Sequence, residues 1–137
     1  MKILISILVL ALLSITDSLT AQDSSVTATI LNVTSDEGSV IFALFNKHNF
    51  MRESIQGKIG VIIDGKSTVI FENVNAGEYA VICYHDKNDN NKMDFQPNGM
   101  PLEDYGASNN IMNFGPPKYE DAKFTVTDKK VSLKIKF

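Results

Sequence analysis

The sequence predicts an all-β fold: a single antiparallel β-sandwich, immunoglobulin-like or prealbumin-like, with about seven short strands and one long ordered loop. Three observations carry this expectation. The chain ends in strict alternation, Val131, Leu133, Ile135 and Phe137 against Ser132, Lys134 and Lys136, a pattern that a helix would scatter around its circumference. Short β-branched and aromatic runs recur, with Asp, Asn and Gly turn signals between them. No apolar series at helical spacing is long enough to compete, so the crossover helices of a parallel sheet are missing.

The first segment reads as an address. Met1 and Lys2 supply a positive start, and Ile3 to Ile15 is an apolar run broken only by Ser6 and Ser14. That is the length of a signal-peptide core and is too short to span a bilayer comfortably. Thr16 to Thr20 turns polar and Ala21 is a small residue, so cleavage is expected after Ala21, dividing the chain into a signal peptide (1–21) and one domain (22–137). No cysteine ends the apolar run, which excludes a lipid anchor there. The expected location is secreted or periplasmic, with no transmembrane segment after signal removal.

Within the domain, Val26, Ala28 and Ile30 alternate with Thr27 and Thr29 as a strand with one apolar face. Asp36-Glu37-Gly38 turns the chain. Val40 to Phe45 is a continuous apolar run, short enough to be a strand covered on both faces. Lys58 to Ile63 and Ser67 to Phe71 flank Asp64-Gly65, a two-residue signal for a tight hairpin. Asn75 to Gly77 turns again before Tyr79 to His85, a second run read as buried. Lys123 to Thr127 and Val131 to Phe137 complete the series. Between them, Asp86 to Asp121 is rich in turn formers yet carries Met93, Phe95, Met100, Leu102, Tyr105, Ile111, Met112 and Phe114. Structureless connections of that length are uncommon in compact domains. With so many apolar side chains available to pack, it is expected to be ordered.

Composition narrows the function. The 137 residues are 44% hydrophobic and carry 13 basic against 16 acidic side chains, a formal charge of -3. No Lys/Arg cluster exceeds the pair Lys129 and Lys130, so nucleic acid is not an expected partner. The single cysteine rules out an internal disulfide framework and a multi-cysteine zinc site.

The strongest chemical signal is Asp86-Lys87-Asn88-Asp89-Asn90-Asn91-Lys92-Met93-Asp94, with oxygen-bearing side chains at relative positions 1, 3, 5 and 9. An EF-hand type calcium loop begins with this spacing, because a tight turn around a hard cation aims alternate side chains inward. Asp86, Asn88, Asn90 and Asp94 would supply side-chain oxygens and Lys92 its carbonyl. Asn91 stands where glycine usually makes the sharp turn, and asparagine is the next best residue for a left-handed backbone. Position 12, normally a bidentate glutamate, is Pro97, so Glu103 or Asp104 would have to fold back to close the site. Two local charges imply weak calcium binding, roughly 10⁻⁴ to 10⁻³ M. Turn chemistry alone, with Asp and Asn bonding to nearby backbone, is the competing account.

The stretches Gly38 to Phe45, Gly77 to Asp86, Asn90 to Asp94, Gly99 to Glu103, Tyr105 to Asn110 and Pro116 to Ala122 resemble, in order, the bacterial secreted family called domain of unknown function 2141. The resemblance covers nearly all of the mature chain. It implies a small exported β-sandwich protein with no assigned activity. Where relatives carry glycine in the Asp/Asn loop this chain has Asp89 and Asn91, a departure expected to loosen the turn.

Other constellations are weaker. Cys83 and His85 share a strand face, but buried packing accounts for them better than nucleophilic catalysis does. His48 with His85 lacks zinc-ligand spacing. Glu103, Asp104, Glu120 and Asp121 could serve a hydrolase of an envelope polymer only if a cleft gathered them. Tyr84, Phe95, Tyr105, Phe114 and Tyr119 could form a ring platform for sugar or adhesion, or could anchor the loop on the sheet. The leading expectation is a non-enzymatic exported module with a calcium-organised loop facing an envelope or extracellular ligand, a glycan or a protein.

Overall fold

A computed structural model describes residues 24–137 of the chain. The expected signal peptide, 1–21, lies outside the described residues. Among the described residues no helix is long and apolar enough to cross a membrane. The strands are β1 (Val26–Ile30), β2 (Ser39–Phe45), β3 (Gln56–Gly60), β4 (Ser67–Phe71), β5 (Gly77–Asp86), β6 (Tyr105–Ala107), β7 (Phe124–Val126) and β8 (Val131–Ile135), with a 3-10 turn at Ser108–Asn110 and a short α-helix, α1 (Tyr119–Ala122).

They form two sheets. The smaller has the order β4-β1-β8, antiparallel between β1 and β4 but parallel between β1 and β8. The larger runs β3-β2-β5-β6, with β7 pairing the first residues of β5. Alternation places Val26, Ala28 and Ile30 of β1, Val69 and Phe71 of β4 and Ile135 of β8 against Val40, Phe42 and Leu44 of β2 and Val81 and Cys83 of β5. This inter-sheet layer is the core, and period-two strands on both sides are what a sandwich requires. Asn110 ties the layers at one end, since its amide donates to the Lys134 carbonyl and its side-chain oxygen accepts from Lys136 N–H, 2.9 Å each.

Three expectations need correction. Asp64 and Gly65 do make a tight turn with positive φ at both positions, and Ile63 and Lys66 exchange backbone bonds across it. The flanking strands nevertheless do not form a hairpin: β3 joins the larger sheet and β4 the smaller. Residues 61–63 carry the chain between sheets, so the strand expected at Lys58 to Ile63 ends at Gly60, which lies hard against Phe42 and Ser67. An eighth strand, β6, sits inside the segment read as a loop. Finally, β2 and β5 are not covered equally on both faces. Their outward residues Ile41, Ala43 and Tyr84 are only half-buried.

Candidate functional site

The outer face of the larger sheet follows from register. Ile59, Ile41, Tyr84 and Tyr105 lie side by side in one row, and Gly57, Ala43, Ile82 and Ala107 in the next. This apolar face is roofed only in part. Ala43, Phe45, Ile82 and Tyr84 floor a bowl of about 430 Å³, within the range of small-molecule sites. Met93, Phe95 and Gly99 to Pro101 form one wall, Gly115 to Pro117 another, and Met51 and Arg52 from the β2–β3 connection a third. Among the described residues Arg52 is the only charged one that lines it. Of the five rings named as a platform, Tyr84, Phe95 and Tyr105 meet here, whereas Phe114 is fully exposed and Tyr119 packs edge-on against Phe50.

The wall carrying Met93 and Phe95 emerges directly from the Asp/Asn segment. Asp86 closes β5 and is fully buried. Its carboxylate accepts the N–H groups of Asn90 at 3.1 Å and Asn91 at 2.7 Å. Asn88 Oδ1 accepts from Asn90 N–H, and Asn90 Oδ1 from Lys92 N–H. The side-chain amides of Asn88 and Asn90 both donate to the Asp94 carboxylate. Asp89 and Asn91 adopt the left-handed backbone, with φ of 52° and 60°, so the turn is made without glycine.

Glu103, not Asp104, folds back. Its carboxylate accepts Lys87 N–H at 3.3 Å and Asp94 N–H at 3.1 Å, and it is only 7% exposed. Asp104 instead accepts from Thr34 Oγ, and its carbonyl holds His85 N–H. The corner at Glu37 to Ser39 clamps the same end of β5: His85 Nε2 donates to the Glu37 carbonyl at 2.7 Å, and Ser39 Oγ donates to Asp89 at 2.9 Å. Asp86, Asn88, Asn90 and Asp94 therefore form one network, to which Lys92 contributes its N–H.

The donor set is hard oxygen. Among the described residues no lysine or arginine forms an ion pair with Asp86, Asp94 or Glu103. Buried carboxylates without a cationic partner are costly, and backbone donors offset only part of that cost. Both oxygens of Asp86 and both of Glu103 already accept backbone N–H groups, and oxygen donors of this kind are those a hard cation takes. Among the described residues no three Asp, Glu, His or Cys side chains gather on one point, so such a cation would need amide and backbone oxygens as well.

Tyr84 stands between network and bowl. Burial first, then the charges of Asp86, Glu103 and Asp94, push its hydroxyl above the ordinary tyrosine range. A raised pKa means that the folded chain holds this proton longer than the unfolded chain does. The resulting stability is complete below the ordinary value of about 10 and is lost as pH rises through the raised one. Unfolding by denaturant as pH rises above about 10 should therefore show stability falling, with a shallower fall in Tyr84→Phe.

The remaining candidates are dispersed. Cys83 is completely buried, its Sγ lies 3.5 Å from the Gly106 carbonyl, and burial pushes its thiol up, which disfavours the thiolate that nucleophilic attack needs. His85 is buried beside it on the core face with Nδ1 unpartnered and its ring stacked on Phe137. His48 is exposed in the β2–β3 connection and does not meet His85. Glu120 pairs with Lys47 and Lys123, which hold its carboxyl below the usual range, Lys123 contributing more. Asp121 accepts from Asn113. None of these acids lines the bowl.

Sequence reasoning missed the bowl. Its signal was available in part, since Met51, Met93 and Met100 are three of only five methionines and all three line it. Residues 28–134 match the family model described as "Uncharacterized protein conserved in bacteria" (DUF2141). No curated protein and no solved structure matches the chain.

Proposed function

The chain belongs to the DUF2141 family of uncharacterised bacterial proteins, and we propose that it is an exported, non-enzymatic binding module in which calcium organises the loop that walls the apolar bowl. The observation that carries this reading is the pair of buried carboxylates, Asp86 bonded to the middle of the Asp/Asn turn at Asn90 and Asn91 and Glu103 to both its ends at Lys87 and Asp94, with no ion pair to a lysine or arginine among the described residues. Asp86, Asn88, Asn90 and Asp94, with the Lys92 carbonyl, would hold the ion, and Glu103 would close the site from the far side of the loop. When bound, calcium would balance the acidic charge and fix the segment from which Met93 and Phe95 project. Magnesium suits this donor set less well, because it keeps its waters and demands rigid octahedral geometry.

The bowl supports binding over hydrolysis, since no carboxylate of the described residues lines it. It also favours an apolar ligand over a glycan, whose hydroxyls would find few partners on Met, Pro and Phe side chains. Thermal melts of residues 22–137 in calcium, magnesium and chelator test the ion. Calcium at ten times its dissociation constant should raise the midpoint by about 6 °C relative to chelator, and magnesium should raise it less. An unchanged midpoint in millimolar calcium would leave only turn chemistry in the loop.

A further inference from the structure

We infer that the bowl receives a single flexible acyl chain ending in a carboxylate, with the chain on the Ala43 and Ile82 floor and the acid at Arg52. This deepens the binding-module reading and rests on it. Four properties of the bowl point to this ligand. Its walls leave Phe95 at 57% and Met100 at 58% exposed, so apolar surface at the mouth still lacks a cover. Three methionines line it, and their unbranched, polarizable side chains adjust to a flexible chain better than rigid rings do. At about 30 Å³ per water-sized group, the volume admits on the order of a dozen carbons.

The remaining property is charge. Among the described residues Arg52 is the sole charged one on an otherwise largely apolar lining, and it forms no ion pair with any of them. A planar guanidinium matches a carboxylate with two parallel hydrogen bonds, so a monoanionic head satisfies it while the tail fills the apolar space. Neutral hydrocarbon would leave that donor unused. A glycan would leave the floor and the methionines mismatched.

The test is calorimetric titration of the purified protein with dodecanoate, kept below its micelle-forming concentration, beside dodecanol as the uncharged chain of equal length. Dodecanoate should bind one per protein, and Arg52→Gln should weaken it about tenfold while leaving dodecanol unchanged. Arg52 is exposed, so that variant is expected to fold normally. Ala43→Phe, which fills the floor, should weaken both ligands. Absence of dodecanoate binding, or equal binding by Arg52→Gln, would overturn the inference. So would sedimentation with anionic phospholipid vesicles without uptake of monomeric dodecanoate, which would make the exposed Met112 and Phe114 a membrane contact instead. The calcium melt is read separately: a calcium shift without dodecanoate binding defeats this inference alone, and dodecanoate binding without a calcium shift defeats the ion alone.

Discussion

Replacing Asp86 with alanine should lower the unfolding free energy by about 3 kcal/mol and abolish any response of the melting midpoint to calcium. The carboxylate lies at the buried end of β5 and accepts two backbone N–H groups at 3.1 and 2.7 Å. Hydrogen bonds to a charged acceptor contribute about 1.5 to 3 kcal/mol each. Asn90 and Asn91 sit on an exposed turn, where water recovers part of the loss, and this holds the sum near the lower bound. Asp86→Asn keeps one acceptor oxygen and should cost about half as much. Denaturant unfolding in chelator measures the backbone contribution alone, and repeating it in calcium adds the ion. A loss below about 1 kcal/mol in chelator would mean that the turn holds itself without Asp86.

Gly38→Ala should cost about 3 kcal/mol or more, for a reason that has nothing to do with lost contacts. Gly38 has φ of 71°, a conformation that penalises any Cβ by about 1 to 2 kcal/mol. The added methyl would also overlap the Asp86 carbonyl oxygen and press on Lys87 Cα, and both are backbone with no rotamer to yield. Relief requires moving the Glu37 to Ser39 corner off the end of β5. That corner carries the His85 and Asp89 bonds, so the substitution should also blunt the calcium response. Unfolding curves of Gly38→Ala beside Gly65→Ala separate the two contributions. Gly65 has a similar φ of 72°, but a Cβ there meets only the Val33 carbonyl oxygen at 3.3 Å, a far milder approach.

The strands that sequence periodicity identified are those whose two faces differ in kind. β1 and β4 read correctly because one face meets the core and the other meets water, and the alternation survives translation into burial. β3 read incorrectly because Ile59, Val61 and Ile63 alternate as well, yet all three are exposed, and nothing local distinguishes an outward isoleucine from an inward one. β6 was invisible for another reason. Three residues carry no period, and Tyr105 to Ala107 become a strand only because Tyr84, Cys83 and Ile82 offer them an open edge.

The candidate site divides along the same line. Asp86, Asn88, Asn90 and Asp94 were legible because their interaction is local and their spacing encodes it. Glu103 entered only as one of two alternatives, since the choice between it and Asp104 depends on how an excursion of nine residues beyond Asp94 closes on itself. The bowl was illegible because its floor comes from β2 and β5, its walls from two distant connections, and its one charge from a third. Such a cavity exists only after the register Ala43 to Ile82 has been set.

The parallel pairing of β1 with β8 has a kinetic consequence. Val26 lies opposite Val131 and Ile30 opposite Ile135, so the central strand of the smaller sheet must wait for nearly the entire chain to be synthesised before its second partner exists. Loop-closure entropy of that span is spent before any contact there rewards it, which places this chain among the slow folders of its size, on a scale of milliseconds to seconds.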